Sequence, residues 1–148
     1  MATGSIRSTF KQALVDSLGL QAGLAQVQIQ YGWPGDTLEK DSVWLGGCNG
    51  QLSIPVLQAG RKQRDDEFTV DVYIATGTRG MTAVEADTKV VEYLSALDSV
   101  LANDPQLLTL DGLVAAVVTN IQGPDPSLTA EGASSFATAT ISVHARYV

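Results

Sequence analysis

The sequence predicts an α+β domain in which an antiparallel or mixed β-sheet of about five to six strands carries two helices on one face. Residues 67–75 alternate between apolar and polar side chains, and a period of two is typical of a strand with one buried face. In residues 84–101, apolar side chains recur at steps of three and four, as in an amphipathic helix. Short connections elsewhere favour antiparallel hairpins. The 148 residues suit a single domain, 1–148, with a substantial core.

The N-terminal segment predicts the first helix and the first strand. Apolar residues four positions apart give the helix one inward stripe: Ile6, Phe10, Leu14 and Leu18. Ser5 is placed to cap this helix, and Gly19 is placed to end it. Residues 27–31 alternate and predict a strand.

Residues 32–36 predict a turn, because Pro34 fixes its own φ and the flanking glycines accept positive φ. Trp33 is unusual in a tight turn, since so large a ring needs cover. Two interpretations are equally open: Trp33 folds back onto its own core, or it anchors a neighbouring subunit.

Residues 42–46 predict a second strand, which carries Trp44. The glycine-rich run that ends at Gly50 predicts a turn. It is not a phosphate-binding loop, since no Lys-Ser/Thr pair and no helical pattern follow it. Residues 51–57 predict a further strand, and Pro55 indicates an edge position or a bulge.

Residues 61–67 form the densest charge cluster, with basic residues followed directly by acidic ones. We predict a hairpin tip here, either as a solvated loop or as an arm whose charges meet opposite charges on a neighbouring copy. Contact with a phosphate is disfavoured, because the adjacent acids cancel most of the basic field. The candidate contact residues along the chain are Trp33, Trp44, Arg61, Lys62, Arg64, Asp65 and Asp66.

The second helix and the last strands follow. The predicted buried stripe of the helix consists of Val84, Val91, Leu94, Leu97 and Leu101, with Val90 beside them, and residues 103–105 end the helix. Residues 113–118 are apolar on both faces, which predicts either a central strand or one with a face in a subunit interface. Residues 123–132 predict a polar loop suited to a partner. Residues 135–147 alternate and predict the closing strand.

Composition excludes several classes of function. The net charge is −7 and the pI about 4.4, which argues against general nucleic-acid wrapping because that requires Lys and Arg. Cys48 is the only cysteine of the sequence and His144 is the only histidine. An intrachain disulfide, a cysteine-based zinc site and most catalytic arrangements of the Ser-His or Cys-His type are therefore not expected. The acids at 36, 39 and 41 are expected to be solvated on a turn. We predict no catalytic, cofactor or metal site, no signal peptide and no membrane span.

The chain resembles the tail terminator (tail completion) proteins of long-tailed bacteriophages, especially those that infect actinobacteria. The resemblance rests on residues 27–35 (Val-Gln-Ile-Gln-Tyr-Gly-Trp-Pro-Gly), on 43–46 (Val-Trp-Leu-Gly) and on the strand from 64 to 74 that leads into the long helix. It covers nearly the whole chain in order and size. Related head–tail connector and minor tail proteins share similar patterns.

The resemblance implies a structural virion protein at the head-proximal end of the tail, assembled in the host cytoplasm. Such a protein forms a hexameric ring that caps the tail tube, stops its polymerisation and joins the tail to a head–tail connector protein. DNA passes through the lumen without specific binding, and the acidic balance fits such a channel because like charges repel.

The residues leave a second class of function open, a small-ligand-binding α+β module. In that hypothesis the helix and a curved sheet enclose an apolar pocket near Trp44, Tyr73 and Tyr93. A stable ring would favour assembly, whereas a monomer with a deep cavity would favour the ligand.

Overall fold

The chain folds as one sheet with two α-helices, in a computed structural model that describes residues 4–33, 41–54, 63–76, 80–107, 109–129 and 132–147. The elements are α1 (Arg7–Gly19), a short 3-10 helix (Ala22–Leu24), β1 (Gln28–Gln30), β2 (Ser42–Ser53), β3 (Arg64–Thr76), α2 (Ala83–Asn103), β4 (Leu113–Thr129) and β5 (Gly132–Tyr147). Among the described residues the strands form one five-stranded sheet in the order β1-β2-β3-β5-β4. The pair β1–β2 is parallel and the other pairs are antiparallel. The predicted α+β class with a mixed sheet is confirmed.

The core lies between the helices and one face of the sheet, which we call the helix-side face. The predicted alternation is confirmed in β3 and β5, where the inward-facing apolar residues of each strand are buried and belong to one cluster with α1 and α2. Alanines at three inward positions of β5 are short, so the larger leucines of α2 can pack close to the sheet. These inward residues are Phe68, Val70, Val72 and Ile74 in β3 and Ala137, Ala139, Ile141, Val143 and Ala145 in β5.

The first helix buries its predicted stripe but does not use the predicted cap. Phe10, Leu14 and Leu18 are fully buried, and Gly19 is the last helical residue. Ile6 occupies the N-cap position without a side-chain cap, so the expected capping by Ser5 is wrong. The Ser5 hydroxyl instead accepts a long hydrogen bond, of 3.4 Å, from the Arg7 amide.

The second helix starts at a capped end, where the Thr82 hydroxyl accepts from the Glu85 amide at 3.2 Å, and it ends at Asn103 as predicted. Leu94, Leu97 and Leu101 are buried as predicted, with Val90 beside them. The prediction is wrong for Val84 and Val91, which are 75% and 48% exposed, whereas Ala86 and Tyr93 are buried. The prediction failed because a small alanine and a tyrosine carry weak apolar signals compared with two valines one heptad apart.

The predicted turn after Trp44 is wrong, because β2 continues through it to Ser53 as a single strand. The register with β3 shifts between Leu45 and Cys48, so the glycines at 46 and 47 form a bulge rather than a turn. A side chain at Gly46 would place its Cβ 2.9 Å from the Tyr73 ring. Pro34 and Pro55 lie outside the described residues.

The predicted polar loop at 123–132 is also wrong over most of its length, because β4 stays paired with β5 as far as Thr129. Register shifts at three places accommodate the irregular residues of this strand, which include Pro124 and Pro126. β4 is an edge strand of the described sheet, so the central-strand interpretation of residues 113–118 is wrong. Val117 is 50% exposed on the face opposite the helices, so an interface role for that face stays a prediction.

Candidate functional site

The sheet face opposite the helices, which we call the outer face, carries an aromatic row made of Trp33, Trp44, Tyr73 and Phe136. Trp33 packs edge-on against Trp44 with ring centroids 5.1 Å apart. Trp44 stacks on Tyr73 at 5.7 Å, and Tyr73 stacks on Phe136 at 6.1 Å. Strand register builds the row, because Trp44 of β2 lies opposite Tyr73 of β3.

The aromatic row is buried in its middle and open at its ends. Trp44 is buried by its neighbours, whereas Trp33 is 60% exposed and Phe136 is also exposed. Trp33 therefore rests on its own chain, yet on the outer face rather than in the core. Rigid aromatic rings that remain partly exposed are enriched at protein–protein contacts, because they bury large areas at low entropic cost.

Of the predicted contact residues in the charge cluster, Arg64, Asp65 and Asp66 lie in β3 rather than in a loop, while Arg61 and Lys62 lie outside the described residues. Asp66 points to the helix-side face and is 2% exposed. Its carboxylate accepts hydrogen bonds from Arg7 Nε at 2.9 Å and from Arg7 Nη2 at 2.7 Å. These bonds raise the pKa of the Arg7 guanidinium, which also lies 5.1 Å over the Phe68 ring. Asp66 thus joins β3 to α1 instead of facing solvent.

Asp65 points to the outer face and makes a second pair with an arginine. Its carboxylate accepts from Arg146 Nε at 2.8 Å, and the hydrogen bond from Arg146 lowers the pKa of Asp65. His144 Nε2 lies 3.6 Å from the same carboxylate, without a hydrogen-bond partner among the described residues. Arg64 is exposed at the start of the strand.

Asp41 is buried, so its expected place as a solvated turn residue is wrong; Asp36 and Glu39 lie outside the described residues. The Tyr93 hydroxyl donates a short hydrogen bond to Asp41 Oδ2, and Lys89 Nζ lies 3.7 Å from the same oxygen. Burial, together with this hydrogen bond, raises the pKa of Tyr93. The three residues fix the start of β2 to α2.

The predicted ligand pocket near Trp44, Tyr73 and Tyr93 is not formed by those residues. Tyr93 belongs to the core on the helix-side face, whereas Trp44 and Tyr73 stack on the outer face. The sheet lies between them, so the three rings do not line one cavity.

A groove that the sequence did not reveal runs between α2 and the edge strand β4. We call it the α2–β4 groove, and its volume is about 550 Å³. Val91 and Ile121, which are 48% and 47% exposed, contribute apolar walls from the helix and the strand. Asp98 adds an acidic group on the helix side. A solvent-facing valine on α2 was the available signal, but the helical pattern assigned Val91 to the core.

The described residues contain no group of three or more histidine, cysteine, aspartate or glutamate side chains that could hold a metal ion. Ser135 Oγ donates to Asp87 Oδ1 at 2.7 Å, a contact that ties β5 to α2. In the same described ranges, no helix combines the length and apolar character that a membrane crossing requires.

No family model matches the sequence, and no curated protein matches it. Solved structures do share its fold. A chain in the virion of a native gene transfer agent particle aligns with a TM-score of 0.61 at 12% identity, over 92% of this chain and 93% of that one. The gp17 protein of bacteriophage SPP1 aligns with a TM-score of 0.51 at 19% identity, over 94% of this chain and 91% of that one.

A third similar structure is the sheath/tube terminator of PVC, an extracellular contractile injection system, in its extended state. It aligns with a TM-score of 0.52 at 17% identity, over 97% of this chain but 58% of that longer chain. At such identities the likeness establishes the fold. This chain therefore has the fold of a chain in a gene transfer agent virion, of a bacteriophage SPP1 protein and of the sheath/tube terminator of a contractile injection system.

Proposed function

We propose that this chain is a tail terminator, a non-enzymatic structural protein of a phage tail or tail-like particle. It forms a ring, expected to be a hexamer, that caps the tail tube, stops tube polymerisation and joins the tail to a head–tail connector. Its place is the head-proximal end of the tail in the virion, after assembly in the host cytoplasm. The observation that carries the proposal is the shared fold, over nearly the whole chain, with a sheath/tube terminator, a chain of a gene transfer agent virion and a bacteriophage protein.

The surfaces of the chain support an assembly role. The partly exposed aromatic row and the α2–β4 groove lie on different faces of the sheet, so one protomer offers two unlike contact regions. A head-to-tail contact that closes into a ring requires two different complementary patches. The net charge of −7 suits a lumen through which DNA passes, because an acidic wall does not retain phosphates.

The test is to measure the mass of the purified protein by light scattering over a range of concentrations and salt, alone and with tail tubes. We expect a sixfold mass, either in the free protein or after tubes are added. In a second assay, tube protein polymerises in the presence of the chain and tube lengths are measured by electron microscopy. Shorter, capped tubes are expected. A protein that stays monomeric with tubes and leaves their length unchanged would exclude the proposal.

A further inference from the structure

The α2–β4 groove has the chemistry of a docking site for an aromatic and basic surface. Its described lining is apolar and polar with Asp98 as its charged residue, and no lysine or arginine lies among its walls. A shallower depression of about 350 Å³ continues from Val91 along α2 and adds Asp87 and Glu92. The groove therefore combines apolar walls with an acidic rim along the helix.

Side chains rather than backbone groups are the recognition elements of this edge. A long regular edge strand invites pairing with another strand. β4 instead shifts register at three places, and Pro124 and Pro126 have no N–H group to donate. These irregularities oppose simple strand addition, so an occupant binds through the groove.

The opposite edge of the sheet carries the complementary chemistry. Lys11 Nζ lies 4.2 Å over the Tyr31 ring, and Trp33 follows two residues later in the chain. Tyr31 and Trp33 are both exposed. We call these three residues the β1-edge patch. Aromatic rings fit the apolar walls of the groove, and an ammonium group fits its acidic rim.

The two surfaces cannot meet within one chain. β1 and β4 are the two edges of the sheet, with three strands between them. Four strand spacings of about 4.8 Å separate them by roughly 19 Å. A contact between the patch and the groove is therefore intermolecular, and its two unlike halves sit at opposite edges, as a head-to-tail ring requires.

We propose that the α2–β4 groove of one copy receives the β1-edge patch of the next copy, with Lys11 facing Asp98. This inference rests on the proposed ring and names the surfaces that build it. The occupant is a second copy of this chain.

Charge reversal is the first test. Lys11→Glu and Asp98→Lys, each made alone, should raise the protein concentration needed for half assembly by about tenfold, because like charges then face each other. The double variant should assemble within about threefold of the wild type. A structural defect in either single variant would not be repaired by the second change, so failure of the double variant to recover overturns the pairing.

A matched pair of exposed apolar residues tests the groove itself. Val91→Asp places a charge in the groove, whereas Ile54→Asp places one just after the end of β2, outside both the groove and the β1-edge patch, at nearly the same exposure, 48% against 45%. Val91→Asp should abolish assembly while Ile54→Asp retains it, with far-UV circular dichroism confirming that both fold. Equal loss in both variants, or loss in Ile54→Asp alone, contradicts the assignment.

A cysteine pair supplies an independent readout. In a Cys48→Ser background, Trp33→Cys and Ile121→Cys together should yield a ladder of covalent multimers on oxidation, and each single variant should not. Trp33 follows β1 and Ile121 lies in β4, at opposite edges of the described sheet, so an intrachain disulfide, which needs Cα atoms within about 7 Å, is not expected.

The outcomes separate this inference from the proposed function. If the wild type forms rings but the groove variants assemble normally and no ladder appears, the groove inference is overturned and the ring stands. If groove variants form rings yet no longer stop tube growth, the occupant is the tube protein and a second copy is excluded. If the wild type neither associates nor caps tubes, both proposals fail.

Discussion

The two faces of the sheet use similar residues in different ways, and adjacent aspartates in β3 show the difference. Asp66 is buried on the helix-side face and pairs with Arg7, which is distant in sequence and belongs to α1. Asp65 lies on the outer face and pairs with Arg146 of the neighbouring strand. The first pair joins two layers of the fold, whereas the second stays within one layer. We therefore expect the helix-side face to contribute more to the free energy of unfolding, whereas the outer face is available for contacts with other molecules.

The largest expected effect contrasts neighbouring residues of β5. Ile141→Ala should lower the free energy of unfolding by about 2–5 kcal/mol, because it opens a cavity in a fully buried part of the core. Thr140→Ala removes an outer-face hydroxyl that donates to Asp71 at 3.1 Å and should cost less than about 1 kcal/mol. Urea denaturation of both variants measures the contrast. Similar midpoints would show that the two faces contribute equally.

The paired aspartates give the next contrast. Asp66→Ala should lower the free energy of unfolding by about 2–3 kcal/mol, because it leaves the Arg7 guanidinium without its bidentate acceptor. The loss is smaller than for a fully buried pair, because Arg7 is partly exposed to solvent. Asp65→Ala should cost less, since Arg146 is open to solvent, which screens the pair. Thermal unfolding compares the variants. If Asp65→Ala lowered the melting temperature more than Asp66→Ala, the assignment of stability to the helix-side pair would be wrong.

A buried tyrosine on the helix-side face and a threonine on the outer face provide a smaller contrast, which depends on pH. Tyr93→Phe should cost about 1.5–3 kcal/mol at neutral pH, because it removes the hydroxyl that donates to the buried Asp41 carboxylate. The raised pKa of Tyr93 contributes stability that is complete below its unfolded pKa of about 10 and is lost as pH rises towards the folded value.

The alkaline decline in stability should therefore be shallower in Tyr93→Phe than in the wild type. Thr140→Ala removes a hydroxyl from the outer face that does not titrate in this range; it is the control and should leave the alkaline slope unchanged. Denaturation midpoints measured between pH 8 and roughly pH 11, near the tyrosine pKa, test this difference in alkaline slope. An unaltered alkaline slope in Tyr93→Phe would contradict a linkage through this hydroxyl.

The smallest expected effect is on the stability of the protein at low pH. Arg146 lowers the pKa of Asp65, so this pair contributes stability above the unfolded pKa of about 3.9 and loses it as pH falls through the lower folded value. Asp65→Asn should lower stability slightly near pH 7 and leave it nearly unchanged at the acid end, so the acid limb of the stability curve becomes flatter. Denaturation midpoints from pH 2 to pH 6 measure this change. An acid limb that stays as steep in the variant would argue against the pair.

The candidate surfaces were predictable only in part. Trp33 and Trp44 stand out in the sequence as large rings beside glycines, and the structure joins them in the aromatic row. Phe136 carries a sequence signal as well, since it is an aromatic ring on a strand face otherwise lined by polar side chains. The α2–β4 groove had no comparable signal, because it depends on how far a helix covers an edge strand.

Periodicity by itself determined the inward faces of α1, β3 and β5, since the direction of each side chain follows from the local backbone repeat. Three features were decided only by the tertiary structure: the continuity of β2 through Gly46 and Gly47, the length of β4 through Pro124 and Pro126, and the exposure of Val84 and Val91 on α2. A strand can continue through a bulge where a partner strand pairs with the residues on both sides of it. A helix packs against the sheet with the face that fits the neighbouring side chains best. The Arg7–Asp66 pair likewise joins residues 59 positions apart, a meeting that no local pattern encodes.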